Sequence, residues 1–147
     1  MEASHILIAG VGGVGCSWAK GAHARCEDFA DICLVDADDS SFENNASAHF
    51  LRLGHALDSM GCAALPPLAE QRMRGLSALA RTVLEPVELV LLLVGLGGGT
   101  GTGAAHEFAR QARQSGAIVV AVAALPFDVQ ETRAAIAEEG LKRLEKN

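Results

Sequence analysis

The sequence predicts an α/β protein, a three-layer domain with a doubly wound, mainly parallel sheet that takes in residues 1–147. Three observations predict it. Half of the residues are apolar, which at this length supplies one core and is too little for two ordinary domains. Four apolar runs are nearly continuous rather than alternating, as is typical of strands covered by helices on both faces. Helical patterns alternate with these runs across short, glycine-rich junctions.

The predicted strands are, in chain order, residues 5–10, 31–36, 88–95 and 117–125. The predicted helices are residues 16–26, 67–85, 103–116 and 128–147. A proline at position 66 or 67 marks a helix start, Gly116 a helix stop and Asp128 an N-cap. The remaining long stretch, residues 37–65, is predicted to be loop, and in this fold class the loops that follow strands usually form the site.

The composition argues against nucleic acid and membranes as partners. The formal net charge is −6 and the basic residues form no cluster. No apolar run approaches the roughly 20 residues of a membrane span. The four cysteines show neither a CxxC pair nor zinc spacing, so we expect reduced, mostly buried thiols and a cytoplasmic protein. A nucleotide is compatible with this charge, because backbone N–H groups and Mg²⁺ bind phosphate without a basic side chain.

The first glycine-rich junction is "GVGGVG", residues 10–15, directly after a predicted strand and before a predicted helix. Asp36 follows at the end of the second predicted strand. Taken alone, this pattern is a dinucleotide-binding fingerprint, with a tight turn, a helix N-terminus aimed at a phosphate and an acid for a ribose hydroxyl. One hypothesis is therefore a Rossmann-type dinucleotide- or ATP-binding enzyme.

The second junction, "GGGTGTG", is richer: five glycines and two threonines fall in the seven residues from Gly97 to Gly103. The strand before it usually lies beside the first strand in a doubly wound sheet, so the two glycine loops would face each other. Two helix N-termini and the hydroxyls of Thr100 and Thr102 would then surround a polyphosphate from two sides. The sequence has no GK[ST] element, which excludes a Walker-type loop.

These motifs resemble those of the FtsZ/tubulin superfamily, whose signature is "GGGTGTG". "AGVGGVGCS" is similar to the first glycine loop of that family, "LVDADDSS" to its second, acidic segment and "GCAALPP" to its third loop. "AIVVAVAALPF" and "AEEGLKRL" resemble later segments in the same order. The resemblance extends over essentially the whole chain but only over the first part of that family's protein, its N-terminal nucleotide-binding domain.

The resemblance implies GTP or GDP, with Mg²⁺, held between the two loops. Backbone contacts would come from Gly12, Gly13, Val14, Gly15 and Cys16 on one side and from Gly97, Gly98, Gly99, Thr100, Gly101, Thr102 and Gly103 on the other. Ala63 and Ala64 would approach the γ-phosphate, Asp38 would lie near Mg²⁺ with Asp36 as a second candidate, and Pro126, Glu131 and Arg133 would complete the ribose side. The chain is one residue shorter there, so Gln130 could take the place of Glu131.

Two departures from the family bear on activity. Cys16 and Ser17 stand where the family commonly has asparagines, and cysteine is a poor hydrogen-bond partner. The chain stops at Asn147, before the segments that complete the guanine pocket and the second domain whose acidic loop completes hydrolysis in a filament. We therefore expect GTP binding with negligible hydrolysis by this chain alone.

The resemblance also implies partners. Residues 117–125 are long, apolar and without charge, and an uncovered sheet edge of this kind invites pairing. We expect self-association, unless a terminal helix covers that edge. A role in cell division or filament regulation follows from the resemblance, and an alternative is a protein that caps a filament of a full-length FtsZ-like protein.

Overall fold

The computed structural model describes residues 5–37, 48–54, 66–96, 99–125 and 131–145, with only the backbone for Gly99 and residues 131–135. Ten elements follow one another in these ranges. They are β1 (Ile6–Val11), α1 (Gly12–His23), β2 (Asp31–Asp36), β3 (His49–Arg52), α2 (Pro66–Gly75), α3 (Ser77–Leu84), β4 (Leu89–Gly95), α4 (Gly99–Gln114), β5 (Ile118–Ala124) and α5 (Glu131–Glu145). None of these helices is both long enough and apolar enough to cross a bilayer.

The five strands form one parallel sheet in the order β3-β2-β1-β4-β5. β1 and β4 are therefore neighbours, as the sequence predicts, and their last residues lie side by side, with Val11 opposite Val94. The strand order changes direction at this pair, since β2 and β3 extend to one side of it and β5 to the other. In open α/β sheets a crevice at such a switch point is where ligands bind.

Helices cover both faces of the sheet, which confirms the predicted fold class. Side chains alternate along β1, so that Leu7, Ala9 and Val11 join the core under α2, α3, α4 and α5, whereas Ile8 joins the core under α1. α4 lies at the centre of the larger layer and is buried almost throughout its first three turns. The position of α4 against the sheet fixes where its N-terminus points.

The predicted helix over residues 67–85 is wrong in one respect, because the structure has two helices there. Leu76 lies between α2 and α3 with φ −96° and ψ 11°, and its N–H donates to the Met73 carbonyl oxygen at 3.1 Å. This is the shorter, three-residue spacing of a tightened helix end, which turns the chain before α3 begins.

The loop prediction for residues 37–65 missed β3. Only Leu51 of the four residues in β3 is buried, so this short edge strand lacks the apolar run by which the other strands are recognised. The remainder of that stretch lies largely outside the described residues.

Both glycine-rich junctions are more helical than predicted. α1 begins at Gly12 rather than residue 16, and α4 begins at Gly99 rather than residue 103. Glycine is a poor helix former, so these first turns are helical because of their surroundings rather than their propensity. The two glycine loops thus become the first turns of two helices.

β5 is the far edge of the sheet, and one of its faces is uncovered. Ile118, Val120 and Val122 point to the α1 side, in register with Leu89, Leu91 and Leu93 of β4, and are 68%, 49% and 47% exposed. The described part of α5 packs mainly on α4 and leaves this face of β5 open.

Candidate phosphate-binding site

The N-terminus of α1 has no side-chain cap. Val11 precedes the helix in an extended conformation, with φ −121° and ψ 124°, and its side chain makes no capping bond. The first turn contains no acidic residue. The first backbone N–H groups of a helix have no partner within it and carry the positive end of the helix dipole, so this end is suited to an anion.

α4 meets α1 at this point. Gly12 has φ +78°, in the left-handed region where glycine is strongly favoured, and a Cβ on Gly12 would lie 3.2 Å from the backbone nitrogen of Gly101. The first turns of the two helices therefore touch across the switch point between β1 and β4. The predicted face-to-face arrangement of the two glycine loops holds at this pair of residues.

The outer side of the α1 turn is open. A Cβ on Gly13 would have no heavy atom of the described structure within 4 Å, and Val14 is 52% exposed. Thr100, in the first turn of α4, is half-buried. The open side of Gly13 and the lack of an acidic or capping side chain in the α1 turn fit a phosphate group beside this helix N-terminus.

Other glycines of the two loops are required by packing. A Cβ on Gly15 would overlap the Leu93 carbonyl oxygen, and one on Gly101 would lie 2.5 Å from the Gly95 carbonyl oxygen. A Cβ on Gly103 would overlap the carbonyl oxygen of Pro66. These three glycines let α1 and α4 lie directly on the neighbouring backbone.

Thr102 also takes part in packing. It is buried, and a Cβ on Gly140 would lie 2.5 Å from its Cγ2 atom, so the threonine methyl group lies against α5. The methyl group thus fixes where α5 crosses α4, a role that the sequence pattern did not indicate.

Two of the predicted site residues, Cys16 of α1 and Asp36 of β2, have buried side chains. The Cys16 thiol is buried and donates to the carbonyl oxygens of Gly10 at 3.4 Å and Val35 at 3.6 Å, which leaves only the Cys16 backbone for its predicted role. Asp36 is buried at the end of β2, and its Oδ1 atom accepts a hydrogen bond from the Ala37 N–H at 2.8 Å.

Three of the four cysteines lie within the described residues. Cys16, Cys26 and Cys33 form no disulfide there, and Cys16 and Cys33 are fully buried, whereas Cys62 lies outside the described ranges. Burial, with a smaller contribution from Cys16, raises the pKa of Cys33 far above its usual range, so this thiol stays protonated.

Several predicted site residues lie outside the described part of the chain: Asp38, Ala63, Ala64, Gly97, Gly98 and Pro126. Gly99 and Glu131 are the first residues of α4 and α5, and Arg133 follows in the first turn of α5. Within the described ranges, no three His, Cys, Asp or Glu residues come close enough to hold a metal ion. The assignment of Mg²⁺ to Asp38 stays a prediction.

Glu107 of α4 is a buried carboxylate that the sequence patterns did not indicate as important. Glu107 is 1% exposed and accepts hydrogen bonds from Arg110 Nε at 2.9 Å and Gln111 Nε2 at 3.2 Å, while Arg74 of α2 lies 3.6 Å away. Burial alone would raise the pKa of Glu107, but the hydrogen bonds and charges of these partners outweigh it and hold the pKa below its usual value. The spacing of three and four residues to Arg110 and Gln111 is a signal that could have revealed this cluster.

His106 lies beside a second ion pair that joins α2 to α5. Arg143 Nη1 is 2.9 Å from Glu70 Oε2, and His106 Nε2 is 3.5 Å from the same oxygen. Burial lowers the pKa of His106, Glu70 acts to raise it, and Arg143 lowers it again, so that the pKa lies below its usual value. His106 is therefore neutral at neutral pH.

Comparison with known proteins agrees with this fold. The sequence profile of the Tubulin/FtsZ family, GTPase domain, matches residues 5–147. The chain belongs to the tubulin/FtsZ family.

Similar proteins include two cell division proteins. FtsZ 1 of Pyrococcus furiosus is 35% identical over 145 residues, which are 97% of this chain and 39% of that protein. FtsZ 2 of Halobacterium salinarum is 31% identical over 140 residues, or 95% of this chain and 36% of that protein. The chain thus spans well under half the length of these relatives.

Solved structures of similar fold agree with this family assignment. The empty FtsZ dimer of M. jannaschii superimposes with a TM-score of 0.88 at 26% identity, over 99% of this chain and 43% of that one. A GTPγS-bound protofilament of CetZ2 from Haloferax volcanii gives a TM-score of 0.82 at 19% identity, over 96% of this chain and 46% of that one, and so shares the fold.

Proposed function

We propose that the chain is a guanine-nucleotide-binding unit that holds the phosphates of GTP or GDP, with Mg²⁺, across the N-termini of α1 and α4. The observation that carries this proposal is the approach of Gly12 to Gly101, which joins the first turns of the two helices. Membership of the tubulin/FtsZ family, matched through its GTPase domain, supports guanine as the base. The open space at Gly13 and the uncapped first turn of α1 support the position of the phosphates.

Thermal unfolding with added nucleotides tests this proposal and its main alternative. A ligand that binds only the folded state raises the melting temperature by mass action. We expect GTP and GDP with Mg²⁺ to raise it and ATP and NAD to leave it unchanged. A shift with NAD or ATP alone would instead favour the Rossmann-type enzyme, and no shift with any nucleotide at millimolar concentration would overturn nucleotide binding.

A matched pair of variants separates the site from general damage. Gly99→Val places a branched side chain in the first turn of α4, at the proposed phosphate path, and is expected to abolish the GTP-dependent shift. Gly21→Val makes the same change on α1 where no heavy atom of the described structure lies within 4 Å of an added Cβ. The second variant is expected to keep the full shift.

We propose further that the 147-residue chain by itself hydrolyses GTP negligibly, well below the roughly 1 s⁻¹ or more of typical enzymes. Phosphoryl transfer to water requires a group that positions the nucleophile. Among the described residues at the carboxyl ends of the strands, Asp36 is the one acid, and it is buried and bonded to the Ala37 N–H. Phosphate release measured at several protein concentrations tests this, and robust turnover that is lost in Asp38→Ala would contradict it.

A specific observation favours self-association as a second property. Ile118, Val120 and Val122 form an exposed apolar face on an edge strand, and edge strands with such faces pair readily. We propose that a second copy of the chain covers this face, and that a role in cell division or filament regulation, including capping of a full-length FtsZ-like filament, builds on such contacts. Light scattering is expected to give a dimer or larger oligomer, and Val120→Lys a monomer. A monomeric wild-type chain with fast amide exchange along β5 would contradict this.

A further inference from the structure

A cleft of about 320 Å³ lies where α2, α4 and α5 meet. Pro66 and Pro67 of α2 form one part of its lining, Ile136 and Gly140 of α5 another, and His106 of α4 lies between them. The volume is at the lower end of the range of small-molecule sites in proteins. It is well above the roughly 150 Å³ of an apolar cavity that holds benzene.

Direct helix contacts surround this cleft. α2 touches α4 at Gly103, where a Cβ would overlap the Pro66 carbonyl oxygen, and α5 touches α4 where Gly140 faces Thr102. The ion pair between Arg143 and Glu70 joins α5 to α2 at 2.9 Å. All three helix pairs are therefore in contact around the cleft.

The lining has an apolar character and its charges are paired. The two prolines, Ile136 and the glycine backbone offer no charge. Arg143, at the rim, contacts Glu70 at 2.9 Å and Glu139 at 3.5 Å, so its charge is balanced by carboxylates on two helices. A charged ligand would lose hydration here without gaining an unpaired counter-charge, so the lining favours a neutral ligand.

His106 adds a neutral ring to the lining. It is 7% exposed, and its Nε2 atom lies 3.5 Å from Glu70 Oε2, too far for a well-formed hydrogen bond. Burial keeps the pKa of His106 below its usual value despite the nearby Glu70, so the imidazole carries no charge at neutral pH. A buried, uncharged ring beside proline and isoleucine is a suitable contact for the face or edge of another ring.

We propose that the α2–α4–α5 cleft binds a small, neutral, largely apolar ring compound, which packs between the two α2 prolines and Ile136 and against His106. This ligand differs in class from the polyanionic nucleotide of the proposed phosphate site. The two sites share helix α4, but binding in the cleft needs no nucleotide.

The experiment compares two probes of equal ring size by amide NMR of the 147-residue chain without nucleotide. 2-Naphthol is neutral at neutral pH, whereas 2-naphthoate carries a negative charge. We expect 2-naphthol to shift the amide signals of Gly103, His106 and Gly140 saturably, with the signal of Gly21 on α1 unmoved. 2-Naphthoate is expected to bind at least about tenfold more weakly, a difference of about 1.4 kcal/mol.

Two variants locate the site. Ile136→Trp fills the cleft from α5 and should remove the saturable shift, whereas Leu79→Trp adds the same ring at an exposed position of α3 and should keep it. The proposal is overturned if 2-naphthol produces no saturable shift, if 2-naphthoate binds as tightly, or if the folded Ile136→Trp variant binds 2-naphthol unchanged. Should Ile136→Trp fail to fold, the comparison of the two probes on the wild-type chain still decides.

Discussion

The two glycine-rich loops look alike in sequence but meet different surroundings in the fold. In the first loop, Gly13 faces open space and Val14 is half exposed, although Gly15 is packed against Leu93. In the second loop, Gly101 packs directly against the backbone of Gly95, and Gly103 packs directly against the backbone of Pro66. Glycine therefore serves two purposes here. At Gly13 it leaves open space, which the proposed phosphate would occupy, whereas at Gly101 and Gly103 it lets a helix approach its neighbours.

The largest expected effect on the free energy of unfolding is at Gly103, in the second glycine loop. Gly103→Ala would force its Cβ into the Pro66 carbonyl oxygen, a backbone atom that can yield only if α2 moves away from α4. Overpacking of this kind costs about 1–3 kcal/mol, and we expect the upper end of that range because the obstacle is backbone. Urea unfolding measures the loss. An unchanged free energy of unfolding would show that α2 and α4 are less closely packed than the structure has them.

The next effect concerns the hydrogen bonds of Glu107 in helix α4, which begins in the second glycine loop. Glu107→Gln removes the charge from a buried carboxylate and should cost about 2 kcal/mol, the usual worth of a hydrogen bond to a charged group. Because the pKa of Glu107 is lowered on folding, its contribution is fully present above the unfolded pKa of about 4.3 and is lost as pH falls through the folded pKa. The variant should therefore unfold with a weaker dependence on acid than the wild type.

The matched control is Glu27→Gln, at an exposed position. It should change the free energy of unfolding by less than about 0.5 kcal/mol, as surface substitutions usually do. Equal effects of the two variants would mean that the Glu107 cluster adds nothing beyond an ordinary surface charge.

A smaller effect concerns His106, in the second turn of α4. Its folded-state pKa lies below the unfolded value of about 6.5, so the unfolded chain binds more protons just below that pH. The free energy of unfolding should therefore fall as pH drops below about 6.5 and stay level above it. His106→Gln should remove part of this slope, and His49→Gln, at an exposed position of β3, should leave it intact. Urea titrations on both sides of this pH measure the slopes, and equal slopes for all three proteins would contradict the shift.

The smallest effect on stability is expected at Gly13, in the first glycine loop. A Cβ on Gly13 meets no described atom, and alanine in a helix is favoured over glycine by roughly 0.5–1 kcal/mol, so Gly13→Ala should be as stable as the wild type or slightly more so. GTP binding should nevertheless weaken by about tenfold or more, since the added methyl group would displace the phosphate from the backbone N–H groups, and a lost charge-assisted hydrogen bond is worth about 1.5–3 kcal/mol. Calorimetric titration with GTP measures this. Unaltered affinity would remove Gly13 from the phosphate path.

Much of the fold could be predicted from the sequence, because four strands are continuous apolar runs, as is typical of a parallel sheet with helices on both faces. β3 could not be predicted, because His49, Phe50 and Arg52 are exposed and Leu51 is its one buried residue, so the strand has no apolar run in the sequence. The break at Leu76 also depends on tertiary packing, because residues 67–85 keep a helical pattern throughout.

The candidate site was predictable at the level of loops and not of individual residues. The motif "GGGTGTG" does not distinguish a glycine that faces a phosphate from one that faces Pro66, because that depends on what the fold brings beside each position. Thr102 illustrates the limit, since its methyl group lies against Gly140 in a helix 38 residues further along the chain. Burial of Glu107 and His106 likewise follows from α4 being enclosed by two other helices.

We propose that the first turns of α1 and α4 bind one polyphosphate together. Amide NMR of the 147-residue chain during titration with GTP and Mg²⁺ is the sharpest test of this shared site. We expect the signals of Gly13 and Val14 in α1 and of Thr100 and Gly101 in α4 to shift together, with a single dissociation constant. Shifts confined to one helix, or two different dissociation constants, would contradict a shared site.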